Sequence, residues 1–476
     1  MKRILITLFL SVFLNQLGIG QTNDISTDNQ RLAWFRNAKF GIFMHWGVYS
    51  VGRTSESWPF FNGTISNKDY MSQAKEFTAE NFDPDQWADL FIRAGARYVV
   101  LTAMHHDGVA LWDTKVNKKT IRNLTPCKKD LIAEYTAAMQ KAGLKTGLYY
   151  SHVDWTNPDY MRLTQDLTAK ELKEKLDIPY NFGGFWNERN GKGYYTNKKL
   201  TPEEKKVWTR FVDGHDRQLL ELLSSYGQID LLWFDFMHPN GGDFVWGEKE
   251  LKQKMLQQNP ALIVNNRIGN EGDYHTAERG LPVVTPDEPW EYSQTLSDRW
   301  GYMPNDKNYK STRKLVRTLC ECIAMGGNFL LDIGPKADGT FDPEHVKRLL
   351  EMGDWIKKNE EAVYETQRGL LPGHFYGPTA LSLDKKALFL YLFDDPKEDI
   401  QIKGIHSKLK QATILGHPEK VLTTRRVGGA DWANIPGMIL VDVPRELLDD
   451  KVTVLKLEFE EPINLYREKG KDIVNN

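Results

Sequence analysis

Cysteine is scarce in this chain of 476 residues: Cys127, Cys320 and Cys322 are the whole supply. An odd, scattered set argues against a disulfide framework. Cys320 and Cys322 fall in a helical stretch and read as small core residues. No Cys or His spacing matches a zinc site, so no metal or other cofactor is expected. Charge of one sign is equally short. The 62 Lys and Arg nearly balance the 64 Asp and Glu, leaving −2. Such a surface exerts no electrostatic pull on nucleic acid or an anionic membrane. Beyond the N-terminus no run is apolar enough to span a bilayer. No G-x-G-x-x-G follows the first strand, which weakens a dinucleotide-binding reading. The chain also lacks internal repeats and low-complexity tracts.

The N-terminus reads as a signal peptide over residues 1–20. Lys2 and Arg3 give a charged start, Ile4 to Leu14 an apolar run, and Gly18-Ile19-Gly20 small residues before Gln21. The apolar run is too short for a spanning helix with flanks. No Cys lies near the cleavage region, which argues against a lipid anchor. The mature chain is therefore expected to be soluble and exported, periplasmic or secreted.

Up to about residue 365, strand-then-helix units recur. Phe40 to Trp46 reads as a first strand. Asp83 then acts as an N-cap with Pro84 at N1, opening a helix that stops at Gly95. Tyr98 to Met104 is nearly all apolar, as in parallel sheets covered by helices. Leu131, Tyr135 and Met139 share a helix face closed by Gly143, and Lys145 to Tyr150 follows as a strand. Leu219 to Tyr226 is helical, Gly227 breaks it, and Ile229 to Phe234, Ala261 to Val264 and Phe329 to Ile333 continue the strands. At this length the pattern predicts a (β/α)₈ TIM-like barrel over residues 21–365 rather than an open doubly wound sheet. Residues 156–205 interrupt the rhythm with charge, glycine and the aromatics Phe182, Phe185, Trp186, Tyr194 and Tyr195. Insertions of that kind build substrate walls or simply pack a loop onto a barrel. After residue 366 the spacing changes. Leu388 to Phe393 is a strand, and Leu455, Leu457 and Phe459 alternate with Lys456, Glu458 and Glu460, a period of two with one wet face. A small antiparallel β-sandwich is expected over 366–476.

The segment Leu231-Leu232-Trp233-Phe234-Asp235 is an apolar strand that ends on one carboxylate. Polar residues at the C-terminal ends of barrel strands line active sites, so Asp235 reads as catalytic. Other strand ends supply His45, His105, His106, Tyr149, Trp233 and Arg267. A lone His on an apolar strand is more often a satisfied core residue, but three with Arg and Asp point to a ligand pocket. A metal-dependent hydrolase wants a His-x-His pair on one strand face. His105 and His106 are adjacent, and a regular strand would send them to opposite sides. A neutral sugar instead needs donors and acceptors for its hydroxyls, which these residue types supply. The aromatic content of 12% suits the apolar faces of sugars. Glycoside hydrolysis needs a second carboxylate. Glu278, Glu288 and Glu291 are its candidates.

The run Trp34-Phe35-Arg36-Asn37-Ala38-Lys39-Phe40-Gly41-Ile42-Phe43-Met44-His45-Trp46-Gly47 resembles the N-terminal signature of the α-L-fucosidases of glycoside hydrolase family 29. The resemblance continues through His105-His106-Asp107-Gly108, Gly147-Leu148-Tyr149-Tyr150-Ser151, Trp233-Phe234-Asp235, Trp300-Gly301-Tyr302 and Gly326-Gly327-Asn328-Phe329-Leu330-Leu331-Asp332-Ile333-Gly334-Pro335. It spans roughly residues 30–365 and implies a retaining, metal-free glycosidase with a C-terminal β-sandwich. By position it implies that Asp235 is the nucleophile and that His45, His105, His106, Tyr149 and Arg267 form the fucose pocket. Trp300 corresponds to the aromatic wall against the sugar. Glu56 and Trp58 fall where the family has an adjacent Glu-Trp pair, with Ser57 as an extra residue between them. For the acid/base, Glu278 lies at a family-like interval between Arg267 and Trp300. Glu291 is its rival, or else a residue that positions a loop, and Glu288 reads as a solvated loop charge.

The expected function is thus an exo-α-L-fucosidase that removes terminal fucose from an oligosaccharide or glycoconjugate through a covalent glycosyl-enzyme. The alternatives are a related exo-glycosidase such as an α-L-galactosidase, whose sugar differs by a hydroxyl at C6, and a non-catalytic sugar-binding barrel. The latter predicts loss of a strand-end carboxylate, and Asp235 is present.

Overall fold

The structure, a computed structural model, describes residues 30–183, 199–239 and 241–467. The leader over 1–20 and the aromatics Phe185, Trp186, Tyr194 and Tyr195 lie outside the described residues. Eight parallel strands make one sheet: β1 Phe40–Met44, β2 Tyr98–Met104, β3 Lys145–Ser151, β4 Leu231–Asp235, β5 Ile263–Val264, β6 His275–Glu278, β7 Trp290–Thr295 and β8 Asn328–Ile333. Their order is β5-β4-β3-β2-β1-β8-β7-β6. The two end strands meet through a narrow seam. Asn265 bridges Tyr274 in parallel, Asp273 N donates to Val264 O at 2.8 Å, and Val264 N donates to Asp273 Oδ2 at 2.9 Å. The sheet therefore closes as a (β/α)₈-like barrel with a thin joint at β5 and β6.

Helices follow six of the strands. Pro84–Arg93 follows β1, Leu131–Lys141 follows β2, and Pro202–Ser225 follows β3. Glu248–Gln258, Thr312–Ala324 and Pro343–Lys358 follow β4, β7 and β8. Asp83 caps the first as expected, its Oδ1 accepting from Gln86 N at 3.1 Å. Residues 265–274 and 279–289 contain no helix. The βα alternation expected from the sequence therefore fails at β5 and β6. The helix expected over Leu219 to Tyr226 begins much earlier, at Pro202, where Thr201 and Glu204 form a capping box.

Inside the barrel, Phe43, Tyr98, Val100, Tyr149, Leu231, Trp233, Ile263, Tyr274 and Leu330 form a buried column. Leu32, Phe35 and Ala38 from the segment before β1 close its lower end. This packing makes the barrel floor solid, and leaves room for ligand only at the strand C-termini.

The C-terminal part holds two antiparallel sheets. One has five strands, β9 Thr366–Arg368, β10 Thr379–Ser382, β11 Ala387–Leu392, β13 Leu409–Ile414 and β16 Thr453–Phe459. The other has three, β12 Ile400–Ile402, β14 Thr424–Val427 and β15 Met438–Val441. Leu388, Leu390, Leu455 and Leu457 face the smaller sheet, while Phe389, Tyr391 and Val454 pack with the barrel helices. That double burial explains why β11 reads as an unbroken apolar run. On β16, Lys456 and Glu458 occupy the less buried alternate positions, as the period of two predicts.

Candidate active site

The strand ends converge on a cavity of about 210 Å³ lined by Phe43, His45, Glu56, Trp58, His105, His106, Tyr149, Trp233, Asp235, Phe236, Arg267, Glu278, Arg279 and Trp300. That is below the ~300 Å³ at which drug-sized pockets begin, a scale suited to a single sugar ring. Eleven of the twelve side chains proposed from the sequence for catalysis, rivalry and binding meet here, Glu291 being the exception.

Asp235 ends β4 two residues after Trp233, so both face the barrel axis. Tyr149 comes from the neighbouring β3, where it pairs in register with Trp233. Its hydroxyl donates to Asp235 Oδ2 at 2.9 Å. Arg267 Nη1 donates to Asp235 Oδ1, and the guanidinium lies over the Trp233 ring, 4.6 Å from its centre. Burial raises the Asp235 carboxyl, but Arg267, His106 and the hydrogen bonds outweigh it and hold it below the usual carboxylate range. Asp235 is therefore ionised at neutral pH. The other arm of Arg267 donates from Nη2 to Glu278 Oε1 at 2.7 Å. One guanidinium thus ties the two carboxylates together.

Glu278 is on β6 and not on a loop: His275 to Glu278 pair in parallel with Trp290 to Ser293. The next residue, Arg279, has φ 61°, and Phe236 after Asp235 has φ 62°. A non-glycine residue in the left-handed region carries backbone strain. At both carboxylate strands it turns the chain sharply at the cavity edge.

Glu291 is not in the cavity. It is fully buried beneath it, accepting from Trp233 Nε1 at 2.7 Å and Tyr98 Oη at 2.8 Å. Burial, against those hydrogen bonds, pushes its carboxyl up to about 7. The geometry thus gives Glu291 a supporting place under Trp233 and leaves Glu278 as the carboxylate opposite Asp235. Glu288 is exposed and pairs with His275, away from the cavity.

The three histidines are neutralised or fixed by specific partners. Burial lowers His106 to about 4, although Asp235 pulls the other way. Ser151 Oγ donates to Val153 O at 2.6 Å, so at 2.7 Å from His106 Nδ1 it must accept. The proton of His106 is thereby on Nδ1. Its Nε2, 3.6 Å from Asp235 Oδ2, is left as an acceptor on the cavity side. His105 Nδ1 lies 2.7 Å from Ser57 Oγ, and burial, with His106 and His45 adding to it, lowers this imidazole well below its ordinary value. Burial also opposes the charged form of His45, but Asp332 Oδ1 at 2.6 Å outweighs it and raises the group. Asp332 itself rises to about 6 through burial.

The opposite-sides expectation for His105 and His106 does not hold. Strand β2 ends at Met104, the chain turns, with Gly108 N donating to His105 O at 2.9 Å, and both rings enter the cavity with centres 4.2 Å apart. Among the described residues no group of three or more His, Cys, Asp or Glu is arranged to hold a metal ion.

Glu56 is buried in the cavity wall, and its Oε2 has no hydrogen-bond partner. Burial raises this carboxyl, and its contact with the Gly301 amide and the charges of His45 and Arg299 draw it back. An unmet buried acceptor facing a cavity is suited to a ligand hydroxyl. The extra residue, Ser57, has φ 34° and carries the hydroxyl beside His105. Trp58 packs edge-on to His106 and Phe236. Trp300 packs 5.0 Å from His45, next to Gly301, which bridges His45.

Sequence reasoning missed Phe43, Phe236, Arg279, Asp332 and Ser151 as parts of the site. Two of them carried a signal. Phe43 lies two before His45 on β1, on the same face. Asp332 is a lone acid in the apolar strand Asn328–Ile333, the pattern that identified Asp235.

Comparison with known proteins is consistent across sequence and structure. The alpha-L-fucosidase family model matches residues 16–361. The plasma alpha-L-fucosidase of Homo sapiens is 30% identical over 436 residues, covering 84% of this chain and 82% of that one. The tissue alpha-L-fucosidase of Bos taurus is 30% identical over 372 residues, covering 72% and 71%. Among solved structures, alpha-L-fucosidase isoenzyme 1 from Paenibacillus thiaminolyticus superposes with a TM-score of 0.76 at 30% identity, covering 91% of this chain and all of that one. The Thermotoga maritima alpha-fucosidase in complex with a mechanism-based inhibitor gives 0.69 at 28% identity, covering 89% and 96%.

Proposed function

From the premise that this chain belongs to the α-L-fucosidases of glycoside hydrolase family 29, we propose that it is a retaining exo-enzyme with Asp235 as nucleophile and Glu278 as acid/base. The observation that carries this reading is the pair of carboxylates on one guanidinium at the mouth of a cavity sized for one sugar. Terminal fucose seats with its hydroxyls on His45, Glu56, His105 and His106, and its apolar face on Trp300 and Trp233. Glu278 acts in its protonated form, which the last step of each cycle regenerates: it gives up its bond with Arg267 and passes its proton to the glycosidic oxygen. Asp235 attacks the anomeric carbon as the aglycone leaves. Glu278 then takes a proton from water, which releases fucose with its configuration retained. Arg267 and Tyr149 keep Asp235 ionised and aimed throughout. This mechanism requires the two carboxyl groups to stand about 5–5.5 Å apart when the sugar is bound. The mechanism-based inhibitor held by the Thermotoga relative is in keeping with it.

The test is free-fucose release from an aryl α-L-fucoside and from oligosaccharides with α1,2, α1,3, α1,4 and α1,6 fucose, with an aryl α-L-galactoside alongside. The expected result is release of fucose by the unsubstituted enzyme and none by Asp235→Ala. In Glu278→Ala, turnover is lost most for poor leaving groups and partly restored by azide. Substantial turnover by Asp235→Ala rejects the nucleophile. Azide rescue in Glu291→Ala but not in Glu278→Ala rejects the acid/base. Faster release from the galactoside than from any fucoside moves the enzyme to that sugar.

We also propose the division into a leader at 1–20, a catalytic barrel at 21–365 and a β-sandwich at 366–476. It is supported by β9, the first strand of the antiparallel sheet, which begins at Thr366. No helix among the described residues is long and apolar enough to cross a membrane. Export predicts a mature chain that starts at Gln21, which the intact mass of the exported protein measures.

A further inference from the structure

The far side of the Arg267 and Asp235 backbone is held by a buried chain of imidazoles. His152 directly follows β3. Its backbone N donates to Asp235 O at 3.0 Å, and its Nε2 lies 3.0 Å from Arg267 O. Its Nδ1 lies 2.9 Å from Nε2 of His215, which is buried on the helix Pro202–Ser225. His215 Nδ1 lies 3.0 Å from Asp216 Oδ1, and the Asp216 side chain is 18% exposed. Phe234 stacks on His152 at 4.5 Å, and Trp246 stands edge-on to both rings. Tyr150 closes the His215 side at 5.4 Å.

The protons of this chain can be counted. Three contacts each need one hydrogen between their heavy atoms. The Arg267 carbonyl brings none, and the Asp216 carboxylate brings none. Two neutral imidazoles bring two. If His152 gives its proton to Arg267 O, its Nδ1 must accept from His215 Nε2, and His215 then has no proton for Asp216. The third contact requires a third proton.

We propose that His152, His215 and Asp216 are positioning residues: a relay with one proton more than its two neutral rings, which fixes the Arg267 carbonyl and the end of β4, and so holds the guanidinium between Asp235 and Glu278. The extra proton is on His215, beside Asp216. Burial, with the charge of His215 adding to it, keeps His152 well below its ordinary value and therefore neutral. Of the titratable side chains on neighbouring strands, Tyr150 on β3 packs against His215, whereas Asp235 and Arg267 meet His152 through their backbones and turn their charges to the cavity side. Around the outer edge of Asp216, Arg210, Asp213, Arg217 and Lys254 line the same groove. Without the third proton, either Arg267 O or Asp216 faces a bare nitrogen, an unmet buried contact that weakens the hold of the pair on the Arg267 carbonyl.

This proposal rests on the roles given above to Arg267 and Asp235, and its test separates the two. Selective ¹⁵N-histidine labelling of the full-length protein, with long-range ¹H–¹⁵N spectra, counts the N–H groups. One ring with a single N–H and its neighbour with two are expected. In Asp216→Asn the amide NH₂ can donate to His215 Nδ1, so the second N–H disappears. Two singly protonated rings in the unsubstituted protein overturn the proposal, whatever the enzyme hydrolyses. The kinetic arm uses α-L-fucosyl fluoride, whose leaving group needs little help from an acid. Asp216→Ala is expected to lower kcat about tenfold or more, as misplaced catalytic groups do. Asp216→Asn recovers most of that loss, because its amide supplies the third hydrogen. Equal losses in the two variants overturn the positioning role. If the proton count is as expected but the fluoride is not hydrolysed, the glycosidase reading fails, and the positioning role fails with it.

Discussion

Glu291 shows how one buried carboxylate separates support from chemistry. Its carboxyl is pushed from an ordinary 4.5 to about 7, chiefly by burial. The folded protein therefore holds this proton over a pH range in which the unfolded chain has released it. The resulting stabilisation is fully present below about pH 4.5 and is lost as pH rises through about 7. At 1.36 kcal/mol per unit it is on the order of 3 kcal/mol at most. The histidines oppose it. His106 and His345, both lowered to about 4, chiefly by burial, cost stability in acid and not above about pH 6.5. The pH curve of the whole protein is flattened by this cancellation, so the single substitution is the informative experiment. Glu291→Gln keeps an acceptor for Trp233 Nε1 and gives Tyr98 Oη a partner, but it cannot titrate. Relative to the unsubstituted enzyme, its Tm is expected to rise steadily between about pH 5 and pH 8, towards that ceiling. A constant difference over this range rejects the buried titration. Azide should not rescue its activity, because Glu291 lies below the cavity.

At the scale of elements, the site is a set of strand ends, and legibility followed the strength of each strand's pattern. Strands β1 to β4 are apolar runs that stop on polar residues, so Asp235, His45, Tyr149 and the His105-His106 pair could be placed from sequence. Strands β6 and β7, with the sequences HTAE and WEYSQT, have no such run. No helix covers the segments around β6, so there was no apolar face to demand one, and the strand that carries Glu278 was not predicted. The opposite-sides argument for the histidines failed for a related reason: it extended strand geometry past the end of β2. Ser57 and Phe236 depend on positive φ angles that no residue type announces. Gly41 shows a constraint that the motif contains but does not explain. A Cβ there would lie 2.4 Å from the Tyr98 ring, which crosses the barrel floor to reach Glu291. Gly41→Ala must displace that ring and break its bond to Glu291. The expected cost is about 1–3 kcal/mol, as for other overpacked cores. Urea unfolding measures it, and a midpoint within error of the unsubstituted protein would show that the floor can yield.

At the scale of the whole molecule, the five-stranded antiparallel sheet forms one wall of the barrel's packing. Phe389, Tyr391, Val452 and Val454 belong to the same buried cluster as Leu349, Met352, Trp355 and Ile356 of the helix Pro343–Lys358. Two buried hydrogen bonds cross the same surface. Trp355 Nε1 donates to Val452 O at 2.8 Å, and Tyr391 Oη donates to Ala362 O at 2.5 Å. Arg317, on the helix Thr312–Ala324, donates to Phe393 O from outside the cluster. That helix leads into β8, which carries Asp332 and, through it, His45. The active site is thus coupled by packing to a part of the chain that contributes no residue to the cavity. A chain ending at residue 365 would expose Trp355, Ile356 and their neighbours as a contiguous apolar patch and leave the Trp355 N–H without its acceptor. Each large side chain exposed forfeits about 1.5–3 kcal/mol, and four of them match the ~5–15 kcal/mol that holds a typical domain folded. The truncated chain is therefore expected to be insoluble, or to melt far below the full-length protein, even though every residue proposed for catalysis is present. Expression of residues 21–365 with measurement of soluble yield, Tm and fucose release decides this. A soluble, active fragment with an unchanged Tm would show that the barrel is self-sufficient and that the β-sandwich is retained for some purpose other than stability.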